Sequence, residues 1–246
     1  MAKTLILIPS RMAATRLPGK PLLKINNLSL VSHVFKRAEE ANVGEVVVAT
    51  EDQEILTDVL KNGGRAILTN SNHKTGTDRI FEAYKKLDIK NVDYILNLQG
   101  DEPDINKEDI INLNNLMVTE NAELGTLAAK IEDDKMLNNK NVVKVITDKK
   151  LVENNFPTAL NFTRDNSSTD NQNIYHHIGI YSYKISTLKK FVSLEQTSNE
   201  KINKLEQLRA LDNKLKINVA LAKSSPIGVD TEEDYLAIKK IMEYKI

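Results

Sequence analysis

The chain has 246 residues, 41% of them apolar and 28% charged, with Lys+Arg and Asp+Glu balanced at 34 each. Such a chain is long enough for a full core, and its charge balance leaves no bulk attraction for nucleic acid or an acidic membrane surface. No Trp and few aromatics leave little for stacking single-stranded bases, and the absence of Cys removes disulfides, thiolate catalysis and Cys-ligated zinc.

No apolar run approaches the ~20 residues of a membrane span, and a strand entered by Thr4 leaves no room for a signal peptide, so a cytoplasmic chain is expected. The whole length reads as one α/β domain, 1–246. Residues 1–120 form its ligand-binding first part, and a β-rich second part occupies 121–246.

Residues 5–8 (Leu-Ile-Leu-Ile) are the continuous apolar run of a strand covered on both faces. Pro9 ends it. The loop that follows carries Arg11, Arg16 and Lys20 without an acid, and closes at Leu17-Pro18-Gly19-Lys20-Pro21. It lacks the three glycines of a dinucleotide-binding turn. Pro21 replaces the Ser or Thr of a Walker A loop. Side-chain cations at the carboxyl end of a strand are well placed for phosphates, although a basic loop can also simply face water.

Helical spacing runs from Leu30 to Ala41 behind a Ser29 cap, with His33 among apolar neighbours and read as structural. Residues 45–50 make a second strand, 53–62 a helix ended by Gly63-Gly64, and 65–68 a third strand. This β-α-β-α-β order implies a parallel, Rossmann-like sheet with right-handed crossovers. Thr75-Gly76-Thr77 opens the next helix, to about Leu87, with Thr77 as a candidate cap, and is either an ordinary capped turn or an anion or base contact.

Residues 94–99 form a fourth strand with Gly100-Asp101-Glu102-Pro103 directly after it. Asp101 is where a carboxylate for a magnesium ion is expected, with a cap or turn role as the alternative. A helix follows from near Asn106. Strands are expected at 123–131, 142–147, 159–164, 177–183 and 217–222, and helices at 184–192, 200–211 and 232–244. Polar loops fall at 153–155 and 165–173. On periodicity alone Asp230 reads as a helix cap ahead of Thr231-Glu232-Glu233-Asp234. His176 and His177 open a strand with one side chain to each face.

Taken together, several segments resemble one family. They are Pro9-Ser10-Arg11 with Thr15-Arg16-Leu17-Pro18-Gly19-Lys20-Pro21-Leu22, His73-x-Thr75-Gly76-Thr77-Asp78-Arg79, and Leu98-Gln99-Gly100-Asp101-Glu102-Pro103. Asn141-Val142-Val143-Lys144-Val145, Phe162-Thr163-Arg164, His177-Ile178-Gly179-Ile180-Tyr181, Leu205-Glu206-Gln207-Leu208-Arg209 and Gly228-Val229-Asp230-Thr231 complete the set. In this order they are similar to the sugar-nucleotide cytidylyltransferases, and most of all to the 3-deoxy-manno-octulosonate (Kdo) cytidylyltransferase (CMP-Kdo synthetase) family.

The resemblance implies a nucleotidyltransferase-type fold and transfer of the CMP group of CTP to Kdo, with release of pyrophosphate, for lipopolysaccharide biosynthesis. It implies that Arg11, Arg16 and Lys20 hold the triphosphate, with Thr75, Gly76, Thr77 and Arg79 beside the nucleotide. Asp101 and Asp230 match the magnesium carboxylates, which displaces the capping role for Asp230. Lys20, Arg11, Asp101 and Asp230 are thus the expected catalytic set. Gln99, Arg164, His177, Tyr181, Glu206 and Gln207 match positions lining the Kdo pocket, and a homodimer is implied.

Two segments depart from the family pattern. Asp165-Asn166-Ser167-Ser168 stands where a Pro-Trp-Asp-Arg-like stretch is usual, and His176 stands where Arg is usual. Another acid sugar (amino-substituted Kdo or sialic acid) and a non-catalytic nucleotide-binding domain are the alternatives.

Overall fold

The structure is a computed structural model and describes residues 2–13, 16–165 and 173–244. In chain order the strands are β1 (Thr4–Ser10), β2 (Lys24–Ile25), β3 (Leu28–Ser29), β4 (Gly44–Thr50), β5 (Ala66–Leu68), β6 (Tyr94–Asn97), β7 (Leu124–Ala129), β8 (Lys144–Thr147), β9 (Ala159–Thr163), β10 (Ile174–Lys184) and β11 (Asn218–Leu221). The helices are α1 (Leu30–Ala41), α2 (Gln53–Lys61), α3 (Gly76–Leu87), α4 (Lys107–Thr119), α5 (Asp134–Asn138), α6 (Ile185–Ser193), α7 (Ser198–Asn203), α8 (Leu208–Asp212) and α9 (Glu232–Tyr244). This is the mixed α/β architecture the sequence predicts. Among the described residues no helix is long and apolar enough to cross a membrane.

The chain forms two compact units, 1–110 with 226–246 and 111–225. The last twenty or so residues thus pack with the first unit rather than with the second half of the chain. In the first unit β1 lies between β4 and β6, with β5 beyond β4, and every pairing is parallel. Leu5 to Ile8 are buried on both faces, as the unbroken apolar run requires. The chain moves outward from β1 through β4 and β5, then crosses back to β6 on β1's other side. The order therefore reverses between β1 and β6, and a crevice opens beyond their carboxyl ends.

A ribbon of β2 and β3, which sequence spacing does not show, turns through Asn26 and Asn27 at φ 48° and 66°. Asn tolerates that left-handed pair, which suits a two-residue hairpin. The ribbon brings Ile25 and Leu30 against Val229, Ile238 and Met242, the last two one turn apart on α9. Tyr235 Oη donates to the Lys24 carbonyl at 2.6 Å. This small apolar cluster seats α9, and with it the segment carrying Asp230.

In the second unit β7 is fully buried, pairing parallel with β11 and antiparallel with β10. The latter also pairs with β8, and β8 with β9. Register slips in β10 between Ile178 and Tyr181. The helix expected over 200–211 is two helices, because Lys204 closes α7 at φ 53° and 205–207 link it to α8. A buried ion pair fixes that break. Arg209 donates from Nε and Nη2 to the Glu200 carboxylate at 2.8 and 2.6 Å, over the ring of Phe191. These hydrogen bonds hold the Glu200 carboxyl below its ordinary pKa against the upward push of burial. Removing one partner strands the other charge, so Arg209→Ala is expected to cost about 3–5 kcal/mol, read as a lower urea midpoint at unchanged m-value.

Candidate functional site

At the carboxyl end of β1 the chain enters the basic loop, and Gly19, at φ 70°, turns it into a short 3-10 segment at Lys20–Leu22. Gly100, after β6, comes so close that a Cβ there would lie 3.1 Å from the Pro9 carbonyl oxygen. One on Gly76 would lie 3.2 Å from the Pro9 ring. Two glycines thus let the β6 loop and the α3 N-terminus close upon the end of β1. They bound a cavity of about 390 Å³ lined by Ser10, Arg11, Arg16, Lys20, Lys74, Thr75, Gly76, Arg79, Gln99, Gly100, Asp101 and Asp230, among others.

Lys20 joins the acids across this cavity. Its Nζ donates to Asp101 Oδ2 at 2.7 Å and to Asp230 Oδ1 at 3.4 Å, and Arg16 Nη2 reaches Asp230 Oδ2 at 2.9 Å. Neither carboxylate is used as a helix cap. Asn106 Oδ1 accepts the Glu108 N–H ahead of α4. At α9 the Thr231 hydroxyl accepts the Asp234 N–H, while Asp234 Oδ2 accepts from the Asp230 and Thr231 N–H groups. The capping role periodicity offers for Asp230 is therefore taken by its neighbours. A hydrogen bond from the Val229 N–H to the Asp101 carbonyl, 2.9 Å, fastens the two acidic segments together.

Thr75 rather than Thr77 caps α3, accepting the Asp78 N–H, and it lines the cavity, whereas Thr77 is buried and is not among the lining residues. Arg79 also lines the cavity. Its guanidinium is committed to Thr69 Oγ1 at 2.7 Å, the Asn70 carbonyl at 3.2 Å and the Glu51 carboxylate. His73 is fastened to Glu82, whose carboxyl is held down to about 2. Burial alone would raise it, and hydrogen bonds from Lys86 and His73 outweigh that push.

Sequence reasoning gave no role to Ser10, Lys74 or Glu102. Ser10 lines the cavity with its hydroxyl buried and unpartnered. Glu102 Oε2 is likewise buried without a partner, and burial, then the adjacent Asp101 charge, raises the carboxyl's pKa to about 8. A neutral acid there spares the cluster a third negative charge. The only sequence signal for Ser10 and Glu102 was their adjacency to Arg11 and Asp101.

Within the second unit His177 packs edge-on against Phe162, ring centroids 5.0 Å apart, and 5.5 Å from Tyr181. Thr126, on β7, faces the β10 irregularity and donates to the Ile180 carbonyl at 2.7 Å. Its one proton is used there, so its 3.1 Å contact with His177 Nε2 is accepted from the ring, which fixes the tautomer. The Tyr181 hydroxyl is buried without a partner. Burial, then the charges of Tyr183 and Glu206, pushes its pKa well up. Glu206 and the buried Gln207 lie in the segment linking α7 to α8. Arg164 Nη1 donates to the Lys140 and Asn141 carbonyls at 3.3 and 3.0 Å, and the Lys144 ammonium donates back to the Asn139 and Arg164 carbonyls. His176, where the family usually has Arg, shares a 2.6 Å hydrogen bond between its Nδ1 and Ser225 Oγ. The departure at 165–168 lies, beyond Asp165, outside the described residues.

Burial, then neighbouring His176, lowers the His177 pKa to about 3. The unfolded chain takes up a proton below about pH 6.5 that the folded chain refuses, so stability falls as pH drops through that window. Between pH 7 and pH 5 the expected loss is ~2 kcal/mol. It should vanish in His177→Asn when urea unfolding is measured at both pH values.

The family model described as Cytidylyltransferase matches residues 5–217. A 3-deoxy-manno-octulosonate cytidylyltransferase of Rhodopseudomonas palustris (strain BisB18) is 43% identical, covering 98% of each chain. One from Thermodesulfovibrio yellowstonii is 43% identical over 97% of this chain and 98% of that one. A CMP:2-keto-3-deoxy-manno-octonic acid synthetase solved with CTP superposes with a TM-score of 0.90 at 32% identity, over 100% of both chains. With the model spanning most of the sequence and these relatives matched end to end, the chain belongs to the cytidylyltransferase family, among its 3-deoxy-manno-octulosonate cytidylyltransferases.

Proposed function

We propose that this chain transfers the CMP group of CTP to the anomeric hydroxyl of 3-deoxy-manno-octulosonate, giving CMP-Kdo and pyrophosphate. The observation that carries this reading is the shared ion cluster of Lys20, Arg16, Asp101 and Asp230 in the β1/β6 crevice, in a chain of this family. The task is to bring together two anions, a triphosphate and an acid sugar. Fixed cations must neutralise the phosphates while the attacking oxygen is held in line with the α-phosphorus. Arg11, Arg16 and Lys20 line the cavity and bind the triphosphate in this reading, with Thr75, Gly76 and Arg79 shaping the nucleotide's seat and the buried Thr77 in the same turn.

Magnesium belongs to the proposal. Two carboxylates already converge on one cation, the Lys20 ammonium, and a hard divalent ion takes one or two carboxylates with phosphate oxygens and water. Asp101 and Asp230 would hold it, and when bound it supplies charge neutralisation on the phosphates. Gln99, Arg164, His177, Tyr181, Glu206 and Gln207 are assigned to the sugar. What supports this is the buried, unpartnered Tyr181 hydroxyl and the His177 ring fixed by Thr126. A cytoplasmic homodimer completes the reading.

Pyrophosphate release from CTP plus Kdo is the test, run beside CTP plus sialic acid, CTP plus amino-substituted Kdo, and UTP plus Kdo. Release with CTP and Kdo alone is the expected result, and release with none of the pairs would leave a binding domain. Asp101→Asn keeps a hydrogen-bond acceptor for Lys20 but loses the charge, so half-saturation by magnesium should rise at least about tenfold. An unchanged value would remove the metal assignment. Tyr181→Phe discards a hydroxyl with no partner in the free protein, and should leave stability equal or slightly higher. If the sugar supplies that partner, KM for Kdo rises about tenfold with KM for CTP unmoved.

A further inference from the structure

Asp52 occupies the N-cap of α2, yet its side chain makes no capping hydrogen bond. Asp ranks among the best N-caps, so a carboxylate that turns away from its helix is held by a competing partner. That partner is the basic loop, since Asp52 Oδ2 accepts the Met12 N–H at 2.7 Å from forty residues away. Asp52 is itself fixed at the carboxyl end of β4. Its N–H donates to Thr50 Oγ1 at 3.1 Å and its carbonyl accepts the Leu56 N–H at 3.2 Å. Met12 passes the constraint on, its carbonyl accepting the Gly19 N–H at 3.3 Å. One residue thus sets the register of both ends of the loop, with Arg11 just before it and Lys20 just after Gly19.

We propose that Asp52 is a positioning residue for nucleotide binding, holding Met12 so that Arg11 and Lys20 face the crevice before the triphosphate arrives. Asp52 is not among the cavity-lining residues. Its negative charge opposes an incoming triphosphate, so any gain in nucleotide affinity must come through geometry rather than attraction. The inference rests on the CTP reading above.

Asp52→Ser separates this role from a structural one, because Ser caps helices as well as Asp but is too short to reach Met12. Its urea midpoint should stay at or above wild type while KM for CTP rises about tenfold and trypsin cleavage after Arg11 and Arg16 accelerates. Asp52→Asn keeps an acceptor at the same reach, and should return KM to within about threefold of wild type and slow the cleavage. An unchanged KM and cleavage rate in Asp52→Ser would overturn the proposal, as would losses in both variants that merely follow stability. If wild-type protein itself releases no pyrophosphate from CTP, the activity reading fails, while the trypsin comparison still decides whether Asp52 holds the loop.

Discussion

The first unit depends on one ammonium group. Lys20 Nζ contacts carboxylates from segments 81 and 210 residues away, and its side chain is only 13% exposed. Three stretches of chain that share no secondary structure are registered there: the loop after β1, the loop after β6 and the entry to α9. A partly buried ammonium with two acceptors is directional as well as attractive, so it sets positions that apolar packing alone leaves loose.

Each arm of that junction has its own support. Gly100 lets the β6 loop sit against Pro9, where a Cβ would press on backbone. The Asn26-Asn27 turn folds Ile25 under α9, and the Val229 N–H ties the final segment to Asp101. Capping follows the same logic. Thr231 and Asp234 take the α9 N-terminus and Asn106 that of α4, which frees Asp230 and Asp101 to face cations.

Most of the α/β plan was legible because its signals are local. The apolar runs of β1, β4 and β6 and the 3.6-residue period of α1, α2 and α3 coincide with the observed elements. The missed parts lacked such a signal. The β2–β3 ribbon has two residues per strand and an Asn-Asn turn, too short for periodicity. The helix break at Lys204 depends on a tertiary pair, Glu200 with Arg209, which no window of sequence displays. In the site, Arg11, Arg16, Lys20 and Asp101 could be read from charge placed after strands. Asp230 could be read only through the family resemblance, because by periodicity Asp before Thr-Glu-Glu-Asp is an equally good cap, and the geometry shows its neighbours capping instead. Ser10 and Glu102 were illegible for the opposite reason: their significance is burial without a partner, a property of packing.

The ion cluster also constrains how ligands enter under the proposed function. A triphosphate arriving alone would meet two carboxylates already paired with the cations it needs, and a divalent ion arriving alone would find Asp101 and Asp230 already held by Lys20. Each must displace an existing pair, leaving a charge without its counter-ion in a partly enclosed cavity. With both present, phosphate oxygens would replace carboxylates on Lys20 and Arg16, and Asp101 and Asp230 would be free to hold the divalent ion. Under the proposed function each ligand would thus release the partners the other needs, so nucleotide and metal would favour each other's binding by the same factor in either order.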